Sequence, residues 1–310
     1  MPINWNLKDV NKKAVCMSSL LKTSTNIFLN LEPNANLSKE FPYFGYIEIK
    51  INDLPTFNMF SNNDDLVAQK YFWHGMNSYE RTTLKIWSIL SKKSRTTFDI
   101  GSYTGIFAIS AAVSNPKSKI YAVEAFDMNY SRILVNIRCN NIGNIKVFNS
   151  AVSDNDQYVE LRLRSGDGVL STGGSISNNR NKDYALKKNV KSTTLEDLLL
   201  KNEISTLDLM KIDIEGYELV ALKAFEKLLF LHKPDIIIEV LPSSDGNELY
   251  DFFLSGDYYC FYINEKQQSL HLISQVSNNT EPGSRNWFVT CKTKDELNIL
   301  FKDKVIINGI

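Results

Sequence analysis

Cysteine and histidine are scarce in this sequence, which contains four cysteines and three histidines in 310 residues. The cysteines Cys16, Cys139, Cys260 and Cys291 lie far apart, and no two of them form a Cys-x-x-Cys pair. This spacing is not typical of a zinc site or of a disulfide framework. We therefore expect four reduced thiols, of the kind usually buried in protein interiors.

Long apolar runs and an excess of either charge are also missing. No stretch of about 18 apolar residues occurs, and the N-terminus has no apolar signal-peptide core. Lysine plus arginine number 35, and aspartate plus glutamate number 35. A formal net charge of zero gives no reason to expect nucleic acid or an anionic membrane as a partner. We therefore predict a soluble, cytoplasmic protein without a membrane span.

The clearest element in the sequence is a predicted strand, glycine turn and helix over residues 96–113. Phe98 and Ile100 suit a short buried strand because aromatic and β-branched side chains fit a pleated, covered surface. Gly101 and Gly105 bracket the turn, and an apolar helix follows. This order opens a mononucleotide-binding α/β unit, in which a missing Cβ lets the backbone approach a cofactor and the helix N-terminus offers N–H groups.

The residues around this turn indicate which cofactor it binds. A second predicted strand, 119–123, ends at Glu124, which is placed to accept hydrogen bonds from a ribose diol. A Gly-x-Gly-x-x-Gly dinucleotide fingerprint would need glycine where Tyr103 stands. Asp99, two residues before the first glycine, instead suits a ligand with a cationic amino-acid end and no phosphate. These features favour S-adenosylmethionine over a nicotinamide dinucleotide.

A second group of acidic residues follows two further predicted strands. One strand ends at Asp213, with Glu215 and Glu218 in the turn after it, and another ends at Glu239. Open α/β sheets bind ligands at the carboxyl edge of their strands. Helix capping accounts for Glu218, whereas Asp213 and Glu239 end continuous apolar runs of the kind buried in parallel sheets.

We predict two parts of the chain, an N-terminal accessory segment at 1–63 and a main domain at 64–310. The alternating residues 46–51 suit a half-exposed strand in the first part. The simplest role of this segment is to cover the core of the main domain, and a substrate lid or a dimer arm is the alternative. The apolar end of the chain, after residue 303, is a candidate homodimer contact.

Three stretches of the main domain read as loops or bends. Residues 71–80, interrupted by Gly75, are expected to bend over the mouth of the cofactor site. Residues 164–183 are rich in glycine, serine and asparagine, which indicates either a solvated loop or a substrate-gating loop. Residues 264–286 read as a polar loop between two strands that pair as an antiparallel hairpin at the end of the sheet.

Five motifs occur in order along the chain: Asp-x-Gly-x-x-x-Gly at 99–105, Val-Glu at 123–124, Ala-Val-Ser-Asp at 151–154, Thr-Leu-Glu-Asp at 194–197 and Lys-Ile-Asp-Ile-Glu-Gly-Tyr-Glu at 211–218. Together they resemble the FkbM-type family of S-adenosylmethionine-dependent methyltransferases over residues 64–292. The last motif is the specific one. Ser102 and Tyr103 depart from the family pattern, which usually has small residues and asparagine there, and Ala125-Phe126 replaces a frequent proline.

The resemblance implies an α/β fold with a Rossmann-like class I methyltransferase sheet, mostly parallel with an antiparallel last strand. It also implies, together with the patterns above, a set of cofactor-binding residues. These are Tyr79, Glu80, Asp99, Gly101, Ser102, Tyr103, Gly105, Glu124, Ala125, Ala151 and Asp213.

The implied reaction is O-methylation of a hydroxyl on a small-molecule or glycan acceptor, such as a sugar or a natural product. An alcohol nucleophile must lose its proton, which a positioned carboxylate or histidine can accept. Asp213 and Glu215 are the first candidates for this base or for acceptor orientation, and Glu239 and His74 are the others. Alternatively, Asp213 and Glu239 could hold a divalent cation such as Mg²⁺ that lowers the pKa of the hydroxyl.

Two other functions are consistent with the same sequence. A nicotinamide-dependent oxidoreductase would use the same strand, turn and helix, but the chain lacks the third glycine of that fingerprint. A catalytically inactive methyltransferase-like binding module is the second alternative, and Tyr103 is the local reason to consider it.

Overall fold

A computed structural model describes residues 6–23, 35–51, 54–78, 80–164, 169–177, 184–242, 244–274, 276 and 285–309. The helices are α1 (Leu7–Thr23), α2 (Ala35–Glu40), α3 (Leu66–His74), α4 (Arg81–Ser91), α5 (Ile106–Ser114), α6 (Asp127–Cys139), α7 (Leu195–Lys201), α8 (Glu218–Ala224), α9 (Glu226–His232), α10 (Gly246–Ser255) and α11 (Lys294–Phe301), with short 3₁₀ turns at Gly75–Asn77 and Lys302–Lys304.

The strands are β1 (Phe44–Ile49), β2 (Phe57–Asn62), β3 (Thr96–Ile100), β4 (Lys119–Glu124), β5 (Ile145–Asn149), β6 (Ala151–Val152), β7 (Tyr158–Arg164), β8 (Tyr184–Thr193), β9 (Leu209–Ile212), β10 (Asp235–Glu239), β11 (Tyr259–Asn264), β12 (Ser269–Leu272), β13 (Asn286–Thr290) and β14 (Ile306–Asn308).

The central sheet has nine strands in the order β14-β12-β11-β13-β10-β9-β3-β4-β5. Strands β10, β9, β3, β4 and β5 are parallel, and β13 lies antiparallel between β10 and β11. This mostly parallel sheet with a late antiparallel strand confirms the predicted class I methyltransferase fold. The chain leaves β3 towards β4 on one side and reaches β9 on the other, which makes the β3–β9 boundary a topological switch point.

Two hydrophobic cores cover the two faces of this sheet. Every residue of β3 and β10 is buried, as expected for parallel strands covered on both faces. Ile237 packs into the core that contains Trp87, whereas Ile236 and Ile238 pack into the core that contains Trp287. Because successive side chains of β10 point to opposite faces of the sheet, this strand contributes residues to both cores.

The C-terminal part of the sheet differs from the sequence prediction. Residues 264–286 were expected to form a polar loop, but they include β12, which pairs antiparallel with β11. The end of the chain forms β14, which pairs with β12 in parallel, while Phe301 and Val305 are buried in the chain's own core. The loop prediction was wrong for β12 because a four-residue strand leaves too short a pattern to recognise. Homodimer formation through this tail stays a prediction.

The N-terminal elements pack on the same core as the α/β domain. Ala14 of α1 and Ile49 of β1 belong to the cluster that contains Trp87, and the Ser18 hydroxyl donates to the carbonyl of Phe72 at 2.6 Å. Strands β1 and β2 form an antiparallel hairpin. The described elements α1 and β1 thus cover part of the core. The accessory role of residues 1–63 as a whole, and the boundary at residue 63, stay predictions.

Side chains on one face of α6 and of Asn140, its C-cap residue, form hydrogen bonds with the backbone at the open edge of β2. The side-chain oxygens of Asn136 and Asn140, one turn apart, accept from the N–H groups of Phe60 and Asn58 at 2.7 Å each. Arg132, on the same face, donates to the carbonyl of Phe60 at 3.1 Å. Helix side chains thereby satisfy strand groups that would otherwise face water or a foreign strand.

The four cysteines are free thiols, as expected, but only Cys260 is buried. Cys16 is exposed and Cys139 and Cys291 are half-buried, so the expectation of buried thiols was wrong for these three. Within the described ranges, no helix combines the length and the apolar character that crossing a membrane requires.

The turn after β3 depends on Gly101, whose φ of +79° lies in the left-handed region. A Cβ on Gly101 would lie 1.8 Å from the carbonyl oxygen of Asp213 at the end of β9. Gly105, also at positive φ, would bring its Cβ to 3.2 Å from Ile133 of α6. The structure shows that both glycines make room for neighbouring parts of the protein. Their predicted role in letting the backbone approach a cofactor stays a prediction.

We expect Gly101→Ala to lower the free energy of unfolding by roughly 2–5 kcal/mol, because it adds both a clash and left-handed strain. Gly143→Ala is the matched control, since its Cβ would meet nothing within 4 Å, and its effect should stay within about 1 kcal/mol. Urea denaturation followed by circular dichroism measures both. Equal stability of the two variants would contradict the close approach.

Candidate active site

A cleft opens at the carboxyl ends of β3, β4 and β9, at the topological switch point of the sheet. The described residues that line it come from these strand ends, from the helices above them and from the region between β7 and β8. They are Val67, Glu80, Ile100, Gly101, Ser102, Tyr103, Ile106, Phe107, Val123, Glu124, Ala125, Asn129, Ser150, Ala151, Val152, Leu161, Ser171, Thr172, Gly174, Ile176, Lys211, Asp213, Ile214 and Glu215.

Glu124 is held rigidly at the tip of β4. Its Oε2 accepts from the N–H of Tyr103 at 2.8 Å, and its Oε1 accepts from the N–H of Phe126 at 2.8 Å and from the Asn129 amide at 3.4 Å. Burial raises the pKa of Glu124 to about 7, although these donors act in the opposite direction. The carboxyl therefore faces the cleft in a fixed orientation.

Asp99 lies beneath the turn and does not line the cleft. Its Oδ2 accepts from the N–H of Ala108 in the first turn of α5 at 2.9 Å, where the helix dipole favours negative charge. Its Oδ1 is buried and has no hydrogen-bond partner among the described residues. Burial raises the pKa of Asp99 to about 6, and the nearby Lys211 ammonium lowers it.

Tyr103 closes one side of the cleft and bridges to α3. Its φ is +51°, and its hydroxyl accepts from the N–H of Leu66 at 3.3 Å. Burial raises the pKa of Tyr103, and the neighbouring Asp65 carboxylate adds to this shift. The phenol thus stays neutral and is tied to the helix that precedes the site.

Lys211 and Asp213 form an ion pair at the end of β9. The Lys211 Nζ lies 2.7 Å from Asp213 Oδ2, and the lysine side chain is 3% exposed against 22% for the aspartate. Burial lowers the pKa of Lys211, but the carboxylates of Asp213, Glu80 and Asp99 outweigh burial and raise it overall. The ammonium is therefore charged inside the cleft.

The next acids along the chain have separate structural partners. Glu215 Oε2 pairs with the Arg164 guanidinium at 2.8 Å. Glu218 accepts from the N–H groups of Ile214 at 2.9 Å and of Gly216 at 3.1 Å, and so holds the turn that leads into α8. Glu218 is 4% exposed and binds the turn before α8, and α8 has no side-chain cap, so the prediction of a surface helix-capping acid was wrong.

Glu239 lies beside Asp213 at the end of the neighbouring strand. It is 7% exposed, its Oε1 is 3.7 Å from the Arg285 guanidinium, and its Oε2 has no partner among the described residues. Burial and the negative charges of Asp213 and Glu215 raise the pKa of Glu239 well above its ordinary value. Such a carboxyl is largely protonated at neutral pH, so it can donate a hydrogen bond but is not available as a proton acceptor.

Residues 169–177, the described part of the region between β7 and β8, cover the cleft. Ser171 exchanges two hydrogen bonds with Asn129, whose amide donates to the Ser171 carbonyl at 2.7 Å. The Ser175 hydroxyl donates to the carbonyl of Glu215 at 2.8 Å. The described part of the predicted 164–183 loop, 169–177, is therefore fixed against the site. Residues 165–168 and 178–183 lie outside the described residues.

The structure brings most of the predicted site residues together. Those that line the cleft are Glu80, Gly101, Ser102, Tyr103, Glu124, Ala125, Ala151, Asp213 and Glu215. Asp99, Gly105, Glu239 and His74 do not line it. His74 ends α3, and its catalytic role stays a prediction. Tyr79 lies outside the described residues.

Five polar residues of the cleft were not predicted as site residues, namely Asn129, Ser150, Ser171, Thr172 and Lys211. Lys211 had a visible signal, because a lysine interrupts the otherwise apolar run Leu209–Ile212. Asn129 had none, since it lies on a helix of mixed composition and reaches Glu124 and Ser171 only through tertiary folding.

The divalent-cation hypothesis gains no support from the site. Among the described residues, no three or more His, Cys, Asp or Glu side chains are grouped so that they could hold a metal ion. Asp213 is already paired with Lys211, and Glu239 lies near Arg285.

Solved structures similar to this chain include methyltransferases. Methyltransferase FkbM from Methylobacillus flagellatus KT is 17% identical, with 64% of this chain and 43% of that chain covered and a TM-score of 0.43. An O-methyltransferase from Bacillus cereus in complex with SAH is 11% identical (69% and 81% covered, TM-score 0.40). TYW2 from M. jannaschii in complex with AdoMet is 14% identical (79% and 84% covered, TM-score 0.39).

This chain spans less than half the length of the M. flagellatus protein. No curated protein matches the sequence. The profile of the methyltransferase FkbM domain, however, matches residues 99–260, more than half of the chain. That match contains the glycine turn, the Glu124 strand and the acidic turn that together build the cleft. The chain therefore belongs to the FkbM family of S-adenosylmethionine-dependent methyltransferases.

Proposed function

We propose that the protein binds S-adenosylmethionine in this cleft and transfers the methyl group to a hydroxyl oxygen of a small-molecule or glycan acceptor. The observation that carries the proposal is Glu124, a buried carboxyl fixed at the tip of β4 at the switch point of a methyltransferase-family sheet. Ligands of open α/β sheets bind at this place.

The described residues fit an adenosine cofactor. Oε1 of Glu124 already accepts from the Phe126 N–H and the Asn129 amide, whereas Oε2 accepts only from the Tyr103 N–H and has a lone pair left for a ribose hydroxyl. Apolar side chains on both sides of the cleft, including Val123, Leu161 and Ile176, offer surfaces for a base.

The charge of the cleft also fits this cofactor. Four of the described lining residues are acidic, namely Glu80, Glu124, Asp213 and Glu215, and one is basic, namely Lys211. When bound, S-adenosylmethionine supplies an electrophilic methyl group on a positively charged sulfur. An excess of carboxylates stabilises such a cation in a partly buried site.

The acids of the β9 edge are placed to act on an acceptor hydroxyl. Methyl transfer is an in-line displacement, so holding the oxygen in line supplies much of the rate. We assign orientation of the hydroxyl and acceptance of its proton to Asp213, which lines the cleft. Glu239, a buried neutral carboxyl at the end of the neighbouring strand, is given a supporting role as a hydrogen-bond donor. Glu215 is restrained by Arg164, which suits a role in shaping the acceptor side of the cleft.

The family match weighs against one of the two alternative functions and leaves the other to experiment. Membership of a methyltransferase family argues against a nicotinamide-dependent oxidoreductase. A binding module without catalysis would bind the cofactor and transfer no methyl group, so the same experiments separate it from an enzyme. We expect a cytoplasmic location and an acceptor that is a sugar or a natural product.

We expect Glu124→Ala to weaken binding of S-adenosylhomocysteine by about 1–3 kcal/mol, the usual cost of removing hydrogen bonds to a charged group. Isothermal titration calorimetry measures this effect. Asp127→Ala is the matched control, because Asp127 is an exposed carboxylate three residues away that pairs with Lys188, and it should bind like wild type. Unchanged binding in Glu124→Ala would contradict the assignment.

Binding should also depend on pH through Glu124. Its pKa of about 7 in the free protein means that it is largely protonated at pH 6. Ribose hydroxyls donate to the ionised form, so binding lowers this pKa and releases a proton. Affinity for S-adenosylhomocysteine should therefore fall by up to about tenfold from pH 7.5 to pH 6. Calorimetry in buffers of different ionisation enthalpy measures the number of protons released on binding. Because Gln carries no titratable carboxyl, we expect no such proton release from Glu124→Gln.

We expect Asp213→Asn to lower kcat by about 10²–10⁴-fold, the range for removing a positioned proton-transfer group. The assay follows S-adenosylhomocysteine release in a panel of sugar and natural-product hydroxyl acceptors. Glu248→Gln, which changes an exposed acid paired with Lys223, is the control and should retain activity. If the kcat of Asp213→Asn equalled that of the wild-type protein, the proposed role of Asp213 would be excluded.

A further inference from the structure

Lys211 is the one basic side chain among the described residues that line the cleft. Lysine is among the residues least often fully buried, and a buried ammonium needs compensation for its lost hydration. Lys211 is nevertheless 2% exposed. Burying an ammonium costs hydration free energy, so we expect Lys211 to have a role at the cleft wall besides packing.

The sheet register explains how Lys211 comes to its position. It lies directly opposite Asp99 on the adjacent parallel strand, and Asp213 is two residues further along the same face. Its Nζ also lies 4.6 Å from the centre of the Phe107 ring, at a distance typical of a cation–π contact. Carboxylates on two strands and an aromatic face therefore fix one ammonium at the cleft wall.

This arrangement leaves hydrogen-bonding capacity on the ammonium. A lysine ammonium has three N–H donors. Within the described part of the chain, Lys211 makes one hydrogen bond, to Asp213. The Phe107 ring attracts the charge without accepting a conventional hydrogen bond. Two donors thus remain for a ligand in the cleft.

The amino-acid end of the proposed cofactor carries two opposite charges, an ammonium and a carboxylate. The acids of the cleft suit the ammonium, and the carboxylate would be repelled by most of its charged surroundings. We propose that Lys211 binds the carboxylate of the amino-acid end of S-adenosylmethionine. This inference rests on the proposed function and adds to it the group that recognises the negative end of the ligand.

The competing explanation is that Lys211 serves only as the counter-charge for the carboxyl groups of Asp213 and Asp99. Decarboxylated S-adenosylmethionine separates the two roles, because it lacks only the carboxylate and has one more net positive charge. If Lys211 were only a counter-charge, the acid-rich cleft would bind this analogue as tightly as the parent compound, or more tightly. If Lys211 binds the carboxylate, the analogue loses that contact.

The first measurement uses the wild-type protein and isothermal titration calorimetry with both ligands. We expect S-adenosylmethionine to bind roughly ten- to a hundredfold more tightly than its decarboxylated analogue, the range for a hydrogen-bonded charge pair. Equal binding, or tighter binding of the analogue, would overturn the inference. This comparison needs no variant, so it stands even if a substitution at Lys211 prevents folding.

The second measurement uses Lys211→Met, which keeps the length of the side chain and removes its charge. Binding of S-adenosylmethionine should weaken by the same ten- to a hundredfold. Binding of the decarboxylated analogue should stay within about threefold or improve, because a positive charge has been removed from beside a cation. A parallel loss for both ligands would instead assign Lys211 the counter-charge role and refute carboxylate binding.

5′-Methylthioadenosine, which lacks the whole amino-acid end, is the control for the adenosine part of the site. Lys211→Met should bind it like wild type if the variant is folded, as circular dichroism will verify. Failure of a folded wild-type protein to bind any of the three adenosine ligands would refute the proposed function. Binding of all three without a preference for the carboxylate would refute only the role of Lys211.

Discussion

The close approach of the turn after β3 to the end of β9 is the constraint on which the site depends. Gly101 allows it, because any Cβ at this position would lie 1.8 Å from the Asp213 carbonyl oxygen. The two strands on either side of the switch point can then meet directly. As a result Glu124, Lys211 and Asp213 face one cleft rather than three separate surfaces, and the turn itself needs a left-handed residue.

Charge at this edge is arranged as a buried network with an excess of acid. Lys211 lies between carboxylates of β3 and β9, and burial makes each of these interactions stronger than it would be in water. Such a network is unfavourable when one partner is missing. A cationic cofactor with one negative end would match both features, the overall acidity and the single ammonium.

Two additions to the central sheet shape the surroundings of the cleft. The N-terminal hairpin is fixed by side chains of α6, the helix that follows the Glu124 strand. On the other side, residues 169–177 are fixed to Asn129 and to the turn after Asp213. Both additions contact the elements that build the site, so they stabilise the positions of those elements as well as covering them.

The sequence by itself determined the α/β class, the strand–turn–helix at Gly101, the strand-end carboxylates and the family resemblance. Short-range patterns are sufficient for these, because buried parallel strands and glycine turns leave local signals. Only the tertiary structure decided that Asp99 lies beneath the turn, that β12 and β14 extend the sheet, and that Lys211 faces Asp99. These depend on strand register and on contacts between distant residues, which a local pattern does not specify.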